Sequence, residues 1–430
     1  MNRRGLLAAG LGVLAASGGG AVAWQAASGN GGSTPARRET ALPQATTPVA
    51  LQAKLPGELR IGVVHSLTSP PGEGQDWAGA AAGAQVAAER FRLGGSQVTL
   101  LAADDKGSRQ GAVAAIGRLR QRGVHALVVA TQGTHLRGTT QGQVPGQLPV
   151  LLPYSSDETL LGGRAWATGP VARQVDAALD RAVASTGASR PMLVEAGGGR
   201  PLGFEPVATV SFPAGSDPDR MVAGVKRWVN AVGRSDCVVV SGPAEQLAQV
   251  VLALQGSQVQ APVVLGTGAL NPAFGEALAA AGGSVEATFT TIGPALGDPV
   301  ALQPDAAGRA MSAWLAALRL VASDPQATNL SGDQPFATVA PHAEVRSHDA
   351  VVTLVRAAER AASTSPSDLV AALRGLQPTA AHGLAGPALS FARPLALPAG
   401  AIRTLRSSSE VLGLRPTDPD TPLVLSWIAA

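Results

Sequence analysis

The sequence predicts an α/β protein of two lobes, each a Rossmann-like parallel sheet covered by helices, and three observations carry that expectation. From Glu58 onward, short apolar runs alternate strictly with segments whose apolar residues recur at helical spacing. Alternation of this kind builds right-handed βαβ units around buried parallel strands. It runs through two series of similar size, one before and one after Ala167–Pro170, and the 430 residues exceed what one ordinary domain needs.

The first series opens with a strand at Leu59–Val64. Asp76 then starts a helix with Trp77, Ala80, Ala84, Ala88 and Phe91 on one face, and Gly94-Gly95 ends it. A second strand follows at Val98–Ala102. Ser108 caps a helix carrying Ala112, Ile116 and Leu119, Gly123 closes it, and Ala126–Ala130 is the next strand. The second series has helices near 171–185, 219–232, 245–255 and 272–281, with strands at 192–195, around Cys237, at 263–265 and at 287–292. Helical segments near 306–322, 347–362 and 367–373 come next, and mostly extended chain reaches Ala430.

Composition narrows the class of function. Hydrophobic residues make up 45% of the chain and aromatic residues only 3%, so Ala, Val and Leu must fill the core. The formal charge is +3, and Lys and Arg never gather into the stripe a phosphate backbone demands, which excludes nucleic acid as a partner. The single cysteine, Cys237, lies in an apolar run and reads as a buried strand residue.

Compartment is written at the N-terminus. Arg3 and Arg4 precede an uncharged stretch, Gly5–Trp24, with an A-x-A cleavage candidate at Ala21–Ala23, so residues 1–28 read as an export signal. The paired arginines resemble a twin-arginine leader, and ordinary secretion stays open beside that route. Left uncleaved, the stretch is about 20 residues long and would anchor the protein in a bilayer. Residues 29–56, rich in Gly, Pro, Thr and Ala, read as a flexible linker.

Several segments, taken in order, resemble the type I periplasmic binding proteins, and within them the Leu/Ile/Val-binding group that serves ABC importers. The carriers are Arg60–Ser69 with Gly83-Ala84, Leu100–Asp105, Gly123–Thr131, Leu148–Ser156 and the helix start His348–Val351. The resemblance implies two lobes joined by a three-segment hinge, 57–167 with 294–380 forming lobe 1 and 168–293 with 381–430 forming lobe 2. It implies crossings near Thr168, near Gly293 and near Pro378–Gly383, and a ligand held in the cleft at the strand carboxyl edges. It implies a monomer that captures a small polar or anionic solute, without cofactor or catalysis, and delivers it to an ABC permease in the membrane.

Candidate ligand-binding residues follow from the same resemblance. Thr131, Gln132 and Thr134, with Tyr154, Ser155 and Ser156, match the hydroxyl-bearing loops that anchor a carboxylate; short hydroxyls and free amides can donate to it without bringing a competing charge. Ser and Thr at such places also serve as helix caps and turn formers. Trp77 and Ser66 are candidates for the first-lobe wall, Trp77 being equally at home in the core. In the second lobe the family's acidic partner for an ammonium is missing: the matching loops read Gly266–Leu270 and Ala196–Arg200. Glu195 is the substitute, Thr267 is a further ligand-binding candidate in the Gly266–Leu270 loop, and Arg200 would favour an anionic group.

No nucleophile elbow, His-Glu-x-x-His or P-loop occurs, and the six histidines show no ligand-like spacing. Asp104-Asp105 reads as a turn or helix start, since adjacent strand-end side chains point to opposite faces. The alternative to solute capture is a ligand-degenerate sensor or cell-envelope interaction protein on the same scaffold.

Overall fold

The computed structural model describes residues 48–70, 72–137, 148–198, 205–229, 235–257, 259–286, 288–410, 412–416 and 425–430. The expected export leader, most of the expected linker and Arg200 lie outside the described residues. Everything described belongs to one unit spanning Thr46–Ala430.

The first sheet holds β1 (Leu59–His65), β2 (Val98–Asp104), β3 (Ala126–Val129), β4 (Val150–Leu152) and β5 (Ala165–Ala167), in the order β2-β1-β3-β4-β5 and parallel throughout. Helices α1 (Gly83–Leu93) and α2 (Arg109–Gln121) cover opposite faces. The pleat divides the strand residues: Ile61, Val63, Ala126, Val128 and Leu151 face the core of α1, whereas Val64, Leu127, Val129, Val150 and Leu152 face Ala112, Ala115, Ile116 and Leu119 of α2. Ser108 caps α2 as the sequence indicates, its side chain accepting from the Gly111 N–H. The helix expected from Asp76 starts later than its pattern suggests, because the first two turns, Gln75–Trp77 and Gly79–Ala82, wind as 3-10 helix.

The second sheet contains β6 (Pro191–Glu195), β7 (Thr209–Ser211), β8 (Cys237–Ser241), β9 (Val263–Leu265), β10 (Thr290–Gly293), β11 (Arg403–Ser408) and β12 (Ser426–Ala429), in the order β12-β11-β10-β9-β8-β6-β7. Strands β6 to β10 pair in parallel, and β11 and β12 add antiparallel at one edge. The sequence read that tail only as extended chain. Helix α3 (Ala172–Ser185) packs on the face carrying Leu193, Cys237, Val239, Val264 and Ile292. Helices α4 (Pro218–Val229), α5 (Ala244–Gln255) and α6 (Pro272–Ala280) cover the face with Met192, Val194, Val238 and Val240. Cys237 is buried in its strand, and burial pushes its thiol up to about 11.

Helices α7 (Asp298–Ala301), α8 (Ala306–Ala322), α9 (Phe336–Val339), α10 (Val345–Ala361) and α11 (Pro366–Leu373) return to the first sheet. Met311, Trp314 and Leu318 of α8 join Ala82 and Val86 in one cluster, and α10 packs on α1. The chain leaves the first sheet after Ala167 and the second after Gly293. At Pro378–Gly383 it lies beside α10, the His382 carbonyl accepting from Arg356 Nε at 2.8 Å. Further on, Leu395 bridges Ala167, and Phe391 meets the Trp166 ring edge-on at 6.1 Å. Only at Arg403 does it enter the second sheet, so we place the third crossing at residues 398–402.

The end of the expected linker is also ordered against the first lobe. The Leu51 N–H donates to the Arg90 carbonyl at 2.8 Å, and Arg90 Nε donates to the Val49 carbonyl at 2.8 Å. Arg90 is buried, and burial lowers its guanidinium to about 10. Among the described residues no helix is long and apolar enough to cross a membrane.

The α1–α10 contact depends on a missing side chain. A Cβ on Gly83 would stand 1.9 Å from the Glu344 carbonyl oxygen, whereas one on Gly117 of α2 would meet nothing within 4 Å. Gly83→Ala should therefore cost about 1–3 kcal/mol through overpacking. Gly117→Ala should add about 0.5–1 kcal/mol by helix propensity. Urea unfolding of the two variants checks both signs.

Candidate ligand-binding cleft

In a doubly wound parallel sheet, the loops on either side of a reversal in strand order leave to opposite faces and open a crevice at the carboxyl edge. The first sheet reverses between β1 and β3, the second between β6 and β8. Both crevices open on one cleft of about 390 Å³. Asp76 and Trp77 after β1, Gln132–Thr134 after β3 and Ser155–Asp157 beyond β4 line one wall. Gly197-Gly198 after β6, Ser241–Ala244 after β8 and Gly266–Gly268 after β9 line the other, with Asp176 and Leu179 of α3 beneath.

Of the ten expected ligand residues, six line this cleft: Trp77, Gln132, Thr134, Ser155, Ser156 and Thr267. Ser66, Thr131, Tyr154 and Glu195 lie behind or beside it. Ser66 Oγ donates to Asp105 Oδ1 at 2.6 Å and shares a hydrogen bond with Thr131 Oγ1 at 2.7 Å, both hydroxyls being fully buried. Tyr154 stacks on Trp77 with centroids 4.6 Å apart, and its hydroxyl bonds to Ser347 Oγ at 2.7 Å. Burial drives that phenol well above its ordinary value. The Arg346 guanidinium lies 4.6 Å from the Trp77 ring and 4.5 Å from the Tyr154 ring, which fixes the aromatic wall from behind. Glu195 turns back on its own loop, accepting from the Gly197 N–H at 2.9 Å.

A buried charged network holds the first-lobe loops. His135 Nδ1 lies 2.6 Å from Glu73 Oε2, and His135 Nε2 lies 2.9 Å from Asp105 Oδ2. Glu73 also accepts from Thr134 Oγ1 at 2.7 Å, and Asp105 also accepts from the Gly107 N–H at 2.9 Å. Both ring nitrogens thus face carboxylate oxygens, and two donors require the imidazolium form. Burial opposes that charge, but the hydrogen bonds and charges of Asp105 and Glu73 outweigh it and raise the His135 pKa above 6.5. Gly133 makes the arrangement possible, with φ of +136° and a position where a Cβ would lie 2.3 Å from Glu73 Oε2. The turn that the sequence assigned to Asp104-Asp105 is there, and Asp105 additionally anchors Ser66 and His135.

Reasoning from sequence missed Asp76, the Arg137–Asp157 pair and Asn271. Arg137 Nε meets Asp157 Oδ2 at 2.7 Å inside the cleft, so this arginine brings its counter-charge with it. Asn271 Oδ1 accepts from the Ala273 N–H and caps α6, while its Nδ2 donates across the cleft to the Asp76 carbonyl. The pattern Asn-Pro at 271–272 signals a helix cap, but nothing local signals the reach to Asp76. Burial, reinforced by Glu245, raises the Asp76 carboxyl, against which the Ala244 N–H favours the charged form. The second-lobe wall is largely backbone: a Cβ on Gly268 would stand 2.3 Å from the Gly242 carbonyl, and one on Gly198 would stand 2.6 Å from the Gly242 nitrogen.

A family model described as periplasmic binding protein matches residues 58–394. The chain belongs to the periplasmic binding protein family. Solved structures agree on the fold of this binding protein. A type 1 periplasmic binding protein from Bordetella pertussis Tohama I is 16% identical, with a TM-score of 0.61 over 87% of this chain and 100% of that one. The branched-chain amino acid transporter substrate binding protein LivJ from Streptococcus pneumoniae, in complex with isoleucine, is 16% identical, with a TM-score of 0.62 over 86% and 100%. A solute binding protein of an ABC transporter from R. palustris, in complex with 4-hydroxybenzoate, is 13% identical, with a TM-score of 0.58 over 87% and 97%. No curated protein sequence matches significantly. Among the described residues no group of three or more His, Cys, Asp or Glu side chains could hold a metal ion.

The His135 network gives this binding protein a pH signature. A histidine whose folded pKa is raised contributes stability that is complete below its unfolded value near 6.5 and is lost as pH rises through the raised value. Urea midpoints should accordingly fall across that alkaline window. His135→Gln should lower stability by about 3–5 kcal/mol at pH 6, by stranding two carboxylates, and should flatten the profile; an unchanged pH dependence in the variant would show that another group is responsible.

Proposed function

We propose that this protein is the exported capture component of an ABC importer, closing its two lobes on a small polar solute such as an amino acid or a related amide or carboxylate. The observation that carries the reading is the single cleft built from both carboxyl edges, with hydroxyl and amide side chains on one wall and glycine-rich backbone on the other. Gln132, Ser155 and Ser156 can donate to a carboxylate or an amide carbonyl, whereas Thr134 gives its proton to Glu73, and the second-lobe backbone offers N–H and C=O groups without selecting a charge. The bound isoleucine and 4-hydroxybenzoate of two structural neighbours both carry a carboxylate, which supports a ligand of that kind. Membership of a periplasmic family and the Arg3-Arg4 leader support export, with a membrane permease as partner.

A second reading, a ligand-degenerate sensor or cell-envelope interaction protein, is favoured by one observation. The loop Gly266–Leu270 carries no acidic residue, so a ligand ammonium meets no counter-charge at the place where the family resemblance implies one.

Thermal-shift screening of amino acids, short amides, urea and carboxylates separates the two. A ligand at 100 times its Kd adds about 2.7 kcal/mol of stability, a readily visible rise in Tm. Against such a ligand, Ser155→Ala and Ser156→Ala should each weaken binding about threefold to tenfold, the worth of one net hydrogen bond. Thr131→Ala should chiefly lower Tm, because its hydroxyl serves Ser66 behind the wall. If no solute raises Tm, the capture reading fails and the second stands.

A further inference from the structure

We propose that the chain latches its own cleft shut without ligand, through a clasp between Asp76 of the first lobe and Asn271 and Ala244 of the second. Three separate features meet there. Asn271 is held rigidly because Oδ1 caps α6 at the Ala273 N–H, at 3.0 Å, which leaves Nδ2 directed at the Asp76 carbonyl. The Asp76 carboxyl sits at the head of the 12-residue helix α5, facing the Ala244 N–H, where the helix dipole favours negative charge. One turn along α6, Glu276 Oε1 lies 3.5 Å from His342 Nε2, and His342 in turn packs over Gly79 of the first lobe.

A strap beside His342 acts in the same direction. Between β11 and β12 the chain leaves the second sheet, and Arg415 docks on the first-lobe cluster. Its guanidinium donates to the Pro341 and Ala343 carbonyls at 2.8 and 2.7 Å and lies 5.2 Å from the Trp314 ring. The Leu414 and Arg415 N–H groups both donate to Asp298 Oδ2. Every one of these links joins protein to protein, so none of them needs a bridging solute. The closed state is then the resting state, and a solute enters through a minor open population whose size the clasp sets. Asp76 also occupies the head of α5 in place of a ligand anion, so an anionic group placed there competes with the clasp.

The test is small-angle scattering of the full chain, stripped of small molecules by unfolding and refolding, and it does not depend on knowing the solute. Asn271→Asp keeps an oxygen to cap α6 but removes the donor to Asp76; Asp76→Ala removes the carboxylate. The parent should show the smaller radius of gyration, and the double variant should expand while keeping its far-UV circular dichroism. Should the double variant fail to fold, the two single variants carry the comparison. Equal radii in parent and folded variants, whether compact or expanded, overturn the clasp. Discovery of a solute for a parent that is expanded when free would overturn the clasp and leave the proposed function intact; a compact parent that opens on mutation yet binds no solute would do the reverse.

Discussion

Parallel strand order governs this molecule. A parallel sheet hides both faces under helices, so its backbone is reachable only at its ends, and a reversal of order at the carboxyl end parts two loops. The order β2-β1-β3-β4-β5 makes one such gap and β7-β6-β8-β9-β10 another. With the two gaps turned to each other, the loops of both sheets line the cleft between them.

The two walls meet that demand differently. In the first lobe, a buried imidazolium between Asp105 and Glu73 stiffens the loop after β3 from below, so that Thr134 stands on a fixed base. The Trp77–Tyr154 stack with Arg346 closes the wall on the hinge side. In the second lobe, Gly198, Gly242 and Gly268 pack backbone against backbone, and no side chain can be added without pushing the loops apart. Rigidity comes from charge in one lobe and from close approach in the other. A glycine-rich wall discriminates chiefly by shape and hydrogen-bond direction.

Both α/β series and most elements were legible in the sequence because each rests on local periodicity: Leu59–Val64, the Ser108 cap and the Cys237 strand all fall where the pattern puts them. The misses have a common cause. Trp77 lies on a helical pattern, yet its turn winds as 3-10 helix under the pull of contacts with Tyr154 and Asn271. Arg403–Ser408 carries a single apolar residue, Leu405, and so shows no apolar run, and β11 becomes a strand only because β10 offers it an edge. Ser66 and Thr131 were legible as hydroxyls after strands, but their depth below the cleft depends on Asp105, a partner 39 residues from Ser66.

By itself the sequence determined the class of fold, the family it resembles and the loops that carry polar side chains, since hydrophobic period and residue type are local properties of the chain. Tertiary structure alone decided which of those side chains reach the cleft, the charge on His135 and the bond from Asn271 to Asp76. Those depend on the distance between residues far apart in sequence, such as Asp76 and Asn271, and on burial that converts a solvated group into one that must find its partner inside the protein.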